Sequence, residues 1–86
     1  MKEIDILLVE DNEGDIVLTL EALKLGKLKN NVIIARDGQM AIDILAKQAP
    51  YQDAITPDLI LLDINLPKVD GIEVLIHIKE SKVLKR

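Results

Sequence analysis

The chain is 86 residues long, 49% hydrophobic and 30% charged, which suits one small globular domain and excludes a multi-domain enzyme or a disordered tail. Eleven Lys and Arg against fifteen Asp and Glu give a net charge of −4, the wrong sign for holding nucleic acid or an anionic membrane by general electrostatics. With no cysteine there is no disulfide framework or thiolate metal site; with no long apolar run and no apolar stretch after Met1, a soluble, cytoplasmic protein is expected.

The first apolar run, Ile6 to Val9, follows Asp5 and stops at the polar cluster Glu10-Asp11-Asn12-Glu13-Gly14-Asp15, so the spacing predicts a strand near 4–9. Ile16, Leu20 and Leu23 then recur at helical spacing, which predicts a helix over 13–25, with Gly26 at the position of a left-handed C-terminal cap. Val32-Ile33-Ile34-Ala35 is β-branched and predicts a second strand over 32–35. Asp37 can cap a helix over 38–48 that runs through Ala41, Ile44 and Leu45.

Residues 49–57 hold two prolines and no sustained period, which predicts a loop with Tyr51 packing on its surface. Leu59-Ile60-Leu61-Leu62 is apolar throughout, as in a parallel strand buried on both faces, and predicts a strand over 58–62 ending at Asp63. After the turn from Ile64 to Asp70, Val74, Leu75 and Ile78 form the stripe of a last helix over 71–83. Three strand-helix units in succession imply an open α/β fold with a parallel sheet and helices on its faces.

In such sheets ligands bind beyond the carboxyl ends of the strands. There the first strand carries Glu10 and Asp11 and the third carries Asp63. If these strands are neighbours, three carboxyl groups meet, and their repulsion is relieved by a hard cation; magnesium suits such oxygen ligands. Calcium is less apt, because the residues after Asp15 do not continue a twelve-residue calcium loop. Local structure competes with this reading: Asn12 and Asp15 are better explained as helix-start residues. For Asp63 the pattern alone leaves a shared cation site and ordinary strand-end turn chemistry equally open. His77 has no second ligand at metal spacing and is read as a surface or boundary residue, and the basic end from Lys79 to Arg86 as a solvated helix terminus.

Val9-Glu10-Asp11-Asn12, Leu61-Leu62-Asp63-Ile64-Asn65-Leu66-Pro67 and Asp70-Gly71 resemble the receiver domain of two-component response regulators, over essentially the whole chain. The phrase from Glu10 to Leu23 is similar to the single-domain regulators associated with phytochrome-type kinases. The resemblance implies a flavodoxin-like sheet of order 2-1-3-4-5, a receiver order of which a chemotaxis regulator is a known example. It implies Asp63 as phosphoacceptor from a sensor histidine kinase or phosphotransfer protein. It also implies Mg2+ held by Asp11 and Asp63 directly, Glu10 mainly through water, and the Asn65 backbone carbonyl. Pro67 would shape the turn, and Gly71 would let the loop pass close to the helix.

The family has five strand-helix units, and the three predicted here leave no counterpart for the Ser or Thr ending strand four or the Lys and aromatic switch residue of strand five. Losing the lysine and hydroxyl contacts would remove about 2–5 kcal/mol of phosphoryl stabilisation and impair transfer. An unpaired third strand would make a solitary monomer unstable, so a homo-oligomer or swapped dimer is expected. Two alternatives follow: a phosphorylation-inactive structural fragment that associates through this edge, and, less well matched because Asn65 stands where a second acid is common, a magnesium phosphohydrolase.

Overall fold

In the computed structural model the described residues are 3–26, 29–63, 66 and 68–80. Six elements alternate along the chain: β1 (Ile4–Val9), α1 (Glu13–Leu25), β2 (Asn30–Ala35), α2 (Gly38–Leu45), β3 (Leu59–Leu62) and α3 (Lys68–Glu80). The strands form one parallel sheet in the order β2-β1-β3, so the first strand lies in the middle. Val9 is paired with Ala35 on one side and with Leu62 on the other, and all three strands end at the same edge.

Strand alternation divides the apolar residues between two layers. Leu7, Val9 and Ala35 form the main core with Ala41 and Ile44 of α2, Leu66, and Val74 of α3; Ile33, Ile60, Leu62 and Ile78 pack around them. Ile6 and Leu8 point the other way and are buried, as is Ile16 of α1. This second layer is thinner. Ile16 is the one buried residue of α1, and Leu20 and Leu23 of the predicted stripe are half-buried.

Both helix starts follow from capping chemistry. Asn12 accepts a hydrogen bond from the Asp15 N–H at 2.9 Å, and Asp37 accepts one from the Met40 N–H at 2.7 Å. A Cβ at Gly14 would stand 3.2 Å from Asn12 Oδ1, so the glycine leaves room for the cap. The helix ends depart from expectation. Gly26 is extended (φ −69°, ψ 155°) and makes no left-handed cap; its N–H donates to the Leu23 carbonyl at 3.3 Å. Conversely, α2 stops at Leu45 rather than near Gln48, because Lys47 adopts φ 56°. There the Lys47 N–H donates to Ile44 O at 3.2 Å and the Gln48 N–H to Asp43 O at 2.9 Å, the paired bonds of a Schellman turn. Lys47 Nζ also donates to the Ala54 carbonyl, which ties the turn to the loop that follows.

Five further expectations are corrected. β2 begins at Asn30, two residues early, because Ile4 and Asp5 of β1 pair with Asn30 and Asn31. Tyr51 packs against the core cluster instead of lying on the surface. β3 is not buried on both faces: Leu59 is 46% exposed and the other three residues half-buried, since β1 is its only neighbour among the described residues. Helix α3 starts at Lys68, so Gly71 lies within it, and among the described residues a Cβ there would meet nothing within 4 Å. In α3, Val74 is buried and Ile78 half-buried, whereas Leu75 is 49% exposed, one helical step of about 100° from Val74. The expected end of this helix beyond Glu80 lies outside the described residues.

Leu7 touches no water, so Leu7→Ala should destabilise the fold by about 2–5 kcal/mol. Leu18, 69% exposed, should change it by less than about 0.5 kcal/mol when replaced by Ala. Urea denaturation of the two variants checks the contrast.

Candidate metal and phosphoryl site

The parallel register carries the acids together. Beyond Val9, the Glu10 N–H donates to the Ala35 carbonyl at 2.9 Å, so β1 remains tied to β2 through Glu10. On the other side the Asp63 N–H donates to the Val9 carbonyl at 3.0 Å, so the chain leaving β3 is tied to β1 through Asp63. Ligand oxygens of Glu10, Asp11 and Asp63 consequently lie within 4.8 Å of one another, although about fifty residues separate them in sequence. Both strand ends converge on one point.

The three carboxylates differ in environment. Glu10 is buried, Asp63 half-buried with its Oδ2 inaccessible, and Asp11 exposed. Burial pushes the Glu10 carboxyl above its ordinary value, and the Asn12 N–H, which donates to Glu10 Oε2 at 3.2 Å, pulls it part of the way back. A hydrogen bond to the Asp63 carboxyl, the Asp63 charge and, more weakly, Asp15 raise it again. The two negative charges oppose each other at this distance.

A cation can relieve that repulsion. Three hard oxygen donors, one open to solvent and two anchored on the sheet, match the ligand set of a divalent ion such as magnesium or manganese and offer no soft or nitrogen donor to a thiophilic metal. The N-termini of α1 and α2 lie at the same edge, so their partial positive ends offset part of the negative charge. Beside the acids an open groove of about 340 Å³ runs between α1 and β3, lined by Leu8, Glu10, Thr19, Leu61, Leu62 and Asp63.

Of the predicted site residues, Glu10, Asp11 and Asp63 are brought together. Asn12 and Asp15 serve as helix cap and first-turn acid. Asn65, the fourth proposed metal ligand, Ile64 and Pro67 lie outside the described residues, as do the side chains of Lys68 and Asp70. His77 is half-buried and distant in sequence from any other metal-ligand cluster. Sequence reasoning overlooked Arg36, which follows β2 and forms an ion pair with Glu13 at the start of α1. Its position one residue beyond Ala35, at the carboxyl edge of a parallel sheet, was the available signal.

The profile of the response regulator receiver domain family matches residues 6–85. The chain belongs to that family. It is 49% identical over 81 residues to the response regulator Rcp1 of Synechocystis sp., covering 94% of this chain and 55% of Rcp1. The crystal structure of the Mn2+-bound form of Rcp1 superposes with a TM-score of 0.85 at 47% identity, over 94% of this chain and 58% of that one. The phosphorylated cyanobacterial phytochrome response regulator RcpA superposes with a TM-score of 0.88 at 48% identity, over 99% of this chain and 61% of that one. The chain thus spans little more than half of these relatives. The flavodoxin-like receiver fold is as expected from the sequence, and so is the similarity to phytochrome-associated regulators. No helix among the described residues is long and apolar enough to cross a membrane.

The raised Glu10 value has a defined sign in stability. Unfolded, Glu10 ionises near 4.5; folded, it keeps its proton to higher pH. Its contribution is complete below about pH 4.5 and is lost as pH rises through the folded value, because the folded chain binds the extra proton. In chelator-treated buffer, thermal midpoints from about pH 4 to about pH 8 should fall across that window, and Glu10→Gln should flatten this part of the profile.

Proposed function

We propose that the chain is a phosphoacceptor module in which Asp63 takes a phosphoryl group from a sensor histidine kinase or phosphotransfer protein, with Mg2+ held by Glu10, Asp11, Asp63 and the Asn65 backbone. The observation that carries the proposal is the approach of the Glu10, Asp11 and Asp63 carboxylates within 4.8 Å at the ends of two adjacent strands. The manganese-bound form of Rcp1 and the phosphorylated form of RcpA support it by similarity.

In this reading an Asp63 carboxylate oxygen attacks the donor phosphorus. A P–O bond forms, the P–N bond of the phosphohistidine breaks, and the departing imidazole takes up a proton. A carboxylate is a weak nucleophile, so the chain contributes mainly alignment: the Asp63 N–H bond to Val9 holds the nucleophile to the central strand. Glu10 and Asp11 hold the cation, which, when bound, neutralises the transferring phosphoryl oxygens. The apolar floor of Leu8, Leu61 and Leu62 keeps one side of the groove poor in water.

A second reading, association through the outer edge of β3, is favoured by the exposure of Leu59 and by the absence of a further strand beside β3 among the described residues. It predicts a sedimentation coefficient that rises with concentration.

Incubation with Mg2+ and acetyl phosphate should add one phosphoryl group to the intact mass of the chain and none to Asp63→Asn. Asp11→Asn should weaken Mg2+ binding by at least about tenfold. Absence of any mass gain at saturating Mg2+ would leave a structural fragment as the better account, and sustained turnover of a phosphate ester would identify a phosphohydrolase.

A further inference from the structure

We infer that Arg36, acting through Glu13, is a positioning residue for the metal site, holding the loop that presents Asp11. The inference rests on the metal reading above. Asp11 is the exposed member of the acidic trio and sits in the three-residue passage from β1 into α1. The passage is fastened at three points. The Glu10 N–H is held by the Ala35 carbonyl, the Asn12 N–H by Glu10 Oε2, and Glu13 by the guanidinium of Arg36. Asp11 lies between the first anchor and the other two.

The second anchor depends on the site itself. Glu10 Oε2, which accepts the Asn12 N–H at 3.2 Å, belongs to the carboxylate that helps hold the cation, so loading the site draws on the same oxygen pair. The Arg36–Glu13 bridge uses neither ligand oxygens nor backbone. It joins the end of β2 to the first turn of α1 across 23 positions in sequence and involves none of the Glu10, Asp11 and Asp63 carboxylates. Arg36 therefore keeps the start of α1 registered on the sheet in both the empty and the loaded site.

Electrostatics alone makes the opposite forecast for the variant. A cation near a dication site disfavours loading, so deleting Arg36 and leaving the Glu13 charge behind should tighten binding if charge were its only effect. Deleting both partners changes the net charge of the pair by nothing and should leave binding unchanged. Positioning predicts weaker binding in both cases. The pair is 53% and 69% exposed, so the effect is bounded by the modest coupling of solvent-facing ion pairs.

The test is a titration of the 86-residue chain with Mn2+, reading the free ion by electron paramagnetic resonance at low ionic strength. Arg36→Ala and the double variant Glu13→Ala/Arg36→Ala should each bind about two- to fivefold more weakly than the parent, and Arg36→Lys should recover part of the loss. Circular dichroism should show the same helix content throughout. Tighter binding by Arg36→Ala with an unchanged double variant, or a lowered thermal midpoint with unchanged Mn2+ affinity in both, overturns the inference. A parent chain that takes up no Mn2+ overturns the metal reading instead.

Discussion

Two backbone hydrogen bonds at the end of the central strand govern the rest of the site. One ties Glu10 to β2 and the other ties Asp63 to Val9. Neither is a side-chain interaction, so they are maintained by the pairing of the whole sheet and by the apolar layer beneath it. Leu7 and Val9, both fully buried, face α2 and α3 and hold β1 in its register. A one-residue slip of β3 would turn Asp63 to the opposite face and separate it from Glu10. The chemistry at the edge therefore depends on packing several residues away.

That arrangement concentrates negative charge, which the fold offsets locally. Two helix N-termini lie at the same edge, burial and the neighbouring Asp63 charge push the Glu10 carboxyl above its ordinary value, and Arg36 balances Glu13. A divalent ion would relieve the remaining repulsion. Membership of the receiver family, with a manganese-bound relative of closely similar fold, accords with this electrostatic reading.

The parts that were legible in the sequence are those set by periodicity and side-chain capping. The bounds of β1 and α1 follow from an apolar run ended by Glu10 and from the Asn12 and Asp15 pair, and the coming together of Glu10, Asp11 and Asp63 follows from parallel strands of common direction. What was hidden depends on backbone conformation and angular detail. Lys47 takes a left-handed conformation that its side chain does not announce, whereas Gly26, which announces one, is extended. The late start expected for α3 comes from Asp70-Gly71, which reads as a turn in the sequence although the helix already begins at Lys68. Leu75 was assigned to the core because hydrophobicity is visible in a sequence and a rotation of one residue about a helix axis is easily blurred. The Arg36–Glu13 bridge joins two segments whose proximity only the sheet order reveals.

The unequal thickness of the two apolar layers bears on how the molecule breathes. The layer under α2 and α3 contains most of the buried side chains, whereas α1 commits a single residue, Ile16, to full burial. Amide protons of α1 should therefore exchange with solvent through local openings that leave β1 and its neighbours paired. Because α1 begins immediately after the acidic passage, such openings would release the solvent-exposed rim of the site while its sheet-borne half stays in place.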